Sequence, residues 1–111
     1  MLNHERLKSY ILAMDVAKKV PDMLNNFPLG SAYLADQIKR AVSSILLNQA
    51  EGNGRRSLKE RRRFFDIAIG SATESSAIFD IIYSYGYINV STYNEAKDKL
   101  EQVIRILYKL N

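Results

Sequence analysis

Cysteine is absent from this 111-residue chain, which rules out disulfides, thiolate zinc clusters and a cysteine nucleophile. Such a composition suits a reducing compartment. Tryptophan is absent too, and the single histidine, His4, stands close to a terminus, a poor place to anchor metal or acid–base chemistry. Only two prolines and five glycines interrupt the chain, so long elements with few breaks are expected. No apolar run approaches the roughly 20 residues that span a bilayer. The opening residues, MLNHERLKSY, carry charge where a secretory leader needs an apolar core. A cytoplasmic protein without a membrane partner is the expectation, and 47% hydrophobic content at this length suits one domain over residues 1–111.

What the chain does have is a concentration of positive charge. Residues 55–63 (RRSLKERRR) hold six bases and one acid, while the rest of the chain holds ten bases and eleven acids. Arg55, Arg56, Lys59, Arg61, Arg62 and Arg63 therefore carry nearly all of the excess. A basic patch on a near-neutral body suggests a polyanion, RNA or DNA first, and these six are the candidate phosphate contacts. The alternative is a solvated helix start. Cations at a helix N-terminus oppose its dipole, and local inconsistencies of that kind mark functional positions. On a helix, residues 59, 62 and 63 share one side and 61 points elsewhere. The tyrosines Tyr83, Tyr85 and Tyr87 fall at the other end, and no exposed aromatic is interleaved with the arginines unless Phe65 is exposed, so base stacking has little support.

Periodicity predicts four helices and no strand. The first covers residues 5–26, with Leu7, Tyr10, Ile11, Met14, Ala17, Pro21 and Leu24 as its inner face and a kink or break before Pro21, near 17–20. The second covers 31–52, with Leu34, Ile38, Ala41, Ile45 and Asn48 inward; Gly52-Asn53-Gly54 ends it through left-handed conformations. The third starts at a capping box, Ser57 with Glu60, and runs to about Tyr85. Its inner face reads Phe64, Ile67, Ala68, Ser71, Ile78, Ile82 and Tyr85. A second stripe, Phe65, Ile69, Ala72, Phe79 and Tyr83, calls for a second neighbour. That neighbour is expected to be another subunit, the alternative being a helix central to its own chain. The fourth, capped by Ser91 or Thr92, presents Tyr93, Ala96, Leu100, Val103, Leu107 and Leu110. Short connections between long helices favour an all-α, antiparallel up-down-up-down four-helix bundle.

Catalytic chemistry finds little footing. No Glu-x-x-His pair exists for a di-metal site, and no histidine or lysine is placed by the sequence to activate Ser43, Ser44, Ser71, Ser75 or Ser76. Glu51, Asp66 and Glu74 are the one carboxylate set available to magnesium, spread along the bundle. The expectation is a non-enzyme with no cofactor and no metal. Polar residues within the apolar stripes, Arg40, Asn48, Glu51, Ser71 and Glu74, are expected to form a structural polar core. If the second and third helices pair about the Asn53 turn, Glu51 falls near Arg55 and residues 59–63, and Glu74 falls within reach of Gln37 and Arg40. Both carboxylates are then expected to pair with arginine.

The run QIKRAVSSILLNQAEGNGRRSLKERRRFFDIAIGSATES resembles the four-helix-bundle family encoded by intervening sequences in bacterial 23S rRNA genes, the S23 family. Gln37, Arg40, Ala41, Ser44, Ile45, Asn48, Ala50, Glu51, Gly52, Gly54, Arg55 and Ser57 match the first half of its pattern. Phe64, Ala68, Gly70, Ser71 and Glu74 match the second, and the first helix ending at Phe27-Pro28 is similar as well. Two positions depart: Leu46 stands where the family often has proline, and Gln49 where it often has isoleucine. The resemblance implies a homopentameric ring and kinship with the accessory proteins of diversity-generating retroelements, which bind nucleic acid and a reverse transcriptase. A protein partner, such as a reverse transcriptase or ribonucleoprotein, is the alternative to nucleic acid. In a ring the basic patch would be repeated around the assembly.

Overall fold

The computed structural model of the chain describes residues 2–110. Four helices dominate it: α1 (Leu2–Leu24), α2 (Ala32–Asn53), α3 (Leu58–Ser84) and α4 (Val90–Leu110), with no strand among the described residues. Their ends follow local chemistry. Gly30 takes a φ of +92°, and the Ser31 hydroxyl donates to the Pro28 carbonyl at 2.6 Å, closing the loop before α2. Ser57 caps α3 by accepting from the Glu60 amide at 3.3 Å. Gly86, with a φ of +78°, turns the chain after α3. The cap of α4 is Asn89, whose Oδ1 accepts from the Thr92 amide at 2.8 Å; Ser91 and Thr92, expected in that role, already lie inside the helix. Pro21 has its ring exposed one turn from the end of α1, and the helix continues to Leu24 without the expected break. A missing N–H so near the terminus costs one hydrogen bond and leaves one turn to hold in place.

Each helix packs on two others: α1 on α2 and α4, and α3 on the same two, with α1 and α3 on opposite sides of the core. The body measures 45 × 23 × 18 Å. Ala13, Val16, Ile38, Ile45, Phe65, Phe79, Ile82, Leu100, Val103 and Leu107 fill its centre. No helix among the described residues is long and apolar enough to cross a membrane.

Two faces differ from expectation. In α1 the buried residues are Ser9, Ala13, Val16, Val20 and Met23, whereas Leu7 and Ile11 are exposed. In α3 the stripe expected to need a second subunit is the core: Phe65, Ile69, Ala72 and Phe79 are buried within the chain. Ile67 and Tyr85, expected inward, are exposed. α3 lies between α2 and α4, which cover both of its faces, so the second stripe needs no further subunit. Tyr83, from that stripe, stacks on Tyr93 with ring centroids 4.2 Å apart.

One core position is chemically odd. Gln49 is 1% exposed and its amide Nε2 has no hydrogen-bond partner. An unpaired buried donor costs about 1–3 kcal/mol. Gln49→Ile, which removes that donor at similar volume, is therefore expected to raise the thermal midpoint by several degrees in a circular-dichroism melt. A lower midpoint would show that the amide is satisfied in solution.

Candidate nucleic-acid interface

The turn between α2 and α3 is built around a close approach. Gly52 lies inside α2, and a Cβ there would stand 2.5 Å from Cε1 of Phe65. The absence of a side chain lets the end of α2 lie directly on the buried Phe65 ring. The sequence suggested left-handed glycines at this helix end, but Gly54 has a φ of −85° and closes α2 with bonds from its amide to the Ala50 and Glu51 carbonyls. Register follows from the same contact. Ser44 and Ser71 share a hydrogen bond of 2.7 Å, whereas pairing about Asn53 would set Ser44 nearer Asp66.

Onto this turn the sequence places its six bases, and the fold divides them. Arg55 is held: its Nη2 donates to Glu51 Oε2 at 2.8 Å, and its guanidinium lies 4.9 Å from the Phe64 ring centroid. Arg61 folds back, its Nη2 donating to the Arg55 carbonyl at 2.9 Å. Arg63 covers the same Phe64 ring at 5.3 Å and has Glu60 at 4.0 Å. Phe64, which periodicity assigns to the inner face of α3, is thus an aromatic between two arginines. Phe65 is buried and Phe64 is half-buried. Arg56, Lys59 and Arg62 are exposed and form no ion pair among the described residues. Lys59, Arg62 and Arg63 border an open hollow of about 710 Å³ with Leu58, Asp66 and Ile67.

The expected polar core is only partly assembled. Asn48 donates to the Ser44 carbonyl at 2.8 Å and to the Ser44 hydroxyl at 3.1 Å, so Asn48, Ser44 and Ser71 form one seam between α2 and α3. Glu51 does meet an arginine, Arg55, but at the surface. Arg40 and Glu74 are exposed and make no ion pair with each other, contrary to the expected pairing, because the outward face of the helices leaves both in water. Glu51, Asp66 and Glu74 belong to no metal-sized cluster among the described residues.

Tertiary pairing also creates a site that spacing could not show. Lys97 Nζ lies 2.7 Å from Ser76 Oγ and 2.8 Å from Asp80 Oδ1, so a lysine does stand beside a serine. Tyr93 donates to the same Asp80 oxygen at 2.6 Å. The bonds from Lys97 first and Tyr93 second hold the Asp80 carboxyl below its ordinary range, and the bond to Asp80 pushes the Tyr93 phenol up. Across α1 and α4, Glu95 is lowered likewise by hydrogen bonds from Lys19 at 3.0 Å and Lys99 at 3.3 Å.

Both depressed carboxylates contribute stability that is present above their unfolded pKa and lost as pH falls through the lower folded value. The melting temperature is expected to hold at neutral pH and fall below about pH 4, the ordinary carboxylate range. Asp80→Asn together with Glu95→Gln should flatten that acid limb; an unchanged limb would assign acid sensitivity elsewhere. Both groups are partly exposed, so the effect is modest and screened by salt.

A model of the family described as 23S rRNA-intervening sequence protein matches residues 5–109. Among solved structures, the chain is similar to a protein of unknown function from the S23 ribosomal protein family of Bacteroides thetaiotaomicron. That match has a TM-score of 0.81 and 19% identity, covering 97% of this chain and 95% of that one. At that identity the likeness concerns the fold. No curated protein sequence matches.

Proposed function

The chain belongs to the 23S rRNA-intervening sequence protein family, and from that premise we propose that it is a non-enzymatic, self-associating bundle that binds the phosphate backbone of RNA or DNA. The observation that carries the proposal is the uncommitted trio Arg56, Lys59 and Arg62, presented by the turn and the start of α3, where Arg55, Arg61 and Gly52 brace the chain. Three exposed cations with no ion pair among the described residues favour phosphate over base edges, giving affinity with little sequence preference. Repetition in an assembly raises avidity without any new contact. The proposed assembly is a ring of five bundles, each in up-down-up-down order. The contacts Ser44–Ser71, Asp15–Lys99 and Ser76–Lys97 support that order, and the family resemblance supports the ring.

The test is a titration with labelled single-stranded and duplex RNA and DNA at two salt concentrations. Expected is binding to several sequences with similar affinity that weakens steeply as salt rises. Salt-independent binding, or none by the assembled protein, would reject it.

A second proposal, a protein adaptor of the kind that scaffolds a reverse transcriptase or ribonucleoprotein, draws on the opposite end of the bundle. There Leu29, Tyr33 and Tyr85 are exposed together with Val90. A partner retained after nuclease treatment and lost on Tyr33→Ser with Tyr85→Ser favours it.

A further inference from the structure

Two apolar surfaces remain uncovered on the bundle, and they match each other. The first is the outer crest of α3. Ile67, Gly70, Glu74, Ala77 and Ile81 recur at alternating spacings of three and four, and all five are exposed, the isoleucines at 41% and 40%. A Cβ on Gly70 would meet nothing within 4 Å, so the crest is flat between its two isoleucines. The second is a furrow between α1 and α2. On α1 it carries Leu7 and Ile11 of the stripe that periodicity assigns to the core, 60% and 50% exposed, and α2 adds Leu47, 66% exposed. Two open hollows interrupt it. One, of about 410 Å³, lies between Leu7, Tyr10 and Ala50. The other, of about 360 Å³, lies between Ala17, Pro21, Leu24 and Val42.

The spacings coincide. Ile67 and Ile81 are fourteen residues apart, as are Leu7 and Pro21 at the two hollows. At 1.5 Å per residue both distances are about 21 Å. Charge agrees as well. Glu74, midway along the crest, has no ion pair among the described residues, and Lys18, continuing the Ile11–Met14 line of the furrow, is exposed and likewise unpaired. Single surface isoleucines need no explanation, but two apolar lines of equal pitch carrying opposite unpaired charges, Glu74 midway along one and Lys18 one turn from Pro21 on the other, do.

We infer that the furrow of one copy receives the α3 crest of the next, with Ile67 and Ile81 seated in the two hollows, Glu74 near Lys18, and Gly70 and Ala77 permitting close helix approach. The inference rests on the self-association proposed above and names its surfaces. Because crest and furrow are different patches, the contact is head-to-tail, and each bound copy still offers one free surface of each kind; such contacts grow until the rotation closes a ring.

Complementation tests this with two variants of the full chain, a crest variant Ile67→Asp/Ile81→Asp and a furrow variant Ile11→Asp/Leu47→Asp. All four positions are exposed, and a melt confirms that each variant folds. Gly70→Leu is a second crest variant with open space for its side chain inside the monomer. Masses are read by light scattering. Expected is an assembled wild type, each variant alone monomeric at protomer concentrations roughly a hundredfold above the wild-type midpoint, and a 1:1 dimer on mixing crest with furrow variants. If one variant still dimerises alone, the contact is isologous and the inference fails. Should both variants assemble like the wild type, other surfaces make the contact and self-association stands. A wild type monomeric throughout would overturn self-association and this inference together.

Discussion

Changing Arg56, Lys59 and Arg62 together to alanine is expected to abolish nucleic-acid binding at physiological salt while leaving the melting temperature unchanged. All three side chains are exposed and form no ion pair among the described residues, so the folded state loses nothing when they are removed. Binding loses its counterion release. Each neutralised phosphate on duplex DNA contributes about 0.9 to the slope of log affinity against log salt. Three bases on each of two engaged copies give about six contacts, worth roughly a thousandfold in affinity between 50 and 200 mM salt. Single substitutions distinguish the contacting bases from the scaffold. Arg62→Ala should lower the salt slope. Arg61→Ala should leave the slope nearly unchanged, because that guanidinium is spent on the Arg55 carbonyl, and should instead loosen the turn by about 1 kcal/mol. Equal slope changes for Arg61→Ala and Arg62→Ala would show that the division seen in the folded chain does not hold in the complex.

That division was not legible in the sequence, and the reason is physical. Composition reports where charge is concentrated, and the concentration at residues 55–63 is evident from the chain alone. Spacing does indicate Glu51 for Arg55, but whether the other arginines meet phosphate or another part of the protein depends on groups brought together by folding: the Arg55 carbonyl for Arg61, and the Phe64 ring for Arg55 and Arg63. The ends of the helices are legible within a few residues because loop residues act locally; Gly30, Ser57 and Gly86 each mark a boundary that the structure shows. Which face turns inward is harder. Periodicity detects apolar stripes, and both α1 and α3 carry two. In α1 Leu7, Ile11 and Pro21 of the expected stripe are exposed and Tyr10, Met14 and Ala17 half-buried, while the stripe with small residues, Ser9 and Ala13, lies inside, where small side chains let the helices approach closely. The Lys97–Ser76–Asp80 cluster joins residues from different helices and leaves no signal in spacing.

The same close-packing logic predicts a reversal of sign at Gly52. In the native chain Gly52→Ala is expected to destabilise by about 1–3 kcal/mol, the usual cost of overpacking, although alanine is intrinsically the better helix former by nearly 1 kcal/mol. The new methyl would stand 2.5 Å and 2.7 Å from two carbons of the Phe65 ring. That ring is 1% exposed and packed in the core, so it has nowhere to move. Phe65→Ala alone should cost about 3–5 kcal/mol, through lost burial and the cavity left behind. With the ring gone, both contacts under 3 Å are gone too; Phe64 Cβ, 3.3 Å away, has to give by only a few tenths of an ångström, and the helix preference of alanine remains. Gly52→Ala introduced into the Phe65→Ala background should therefore stabilise, by up to about 1 kcal/mol. Urea unfolding of the four proteins in the cycle reads the coupling directly. Additive losses would mean that α2 can retreat from α3 at little cost. The turn carrying the basic residues would then be positioned by its own hydrogen bonds, from Arg55 to Glu51 and Arg61 to Arg55, and not by the helix pair beneath it.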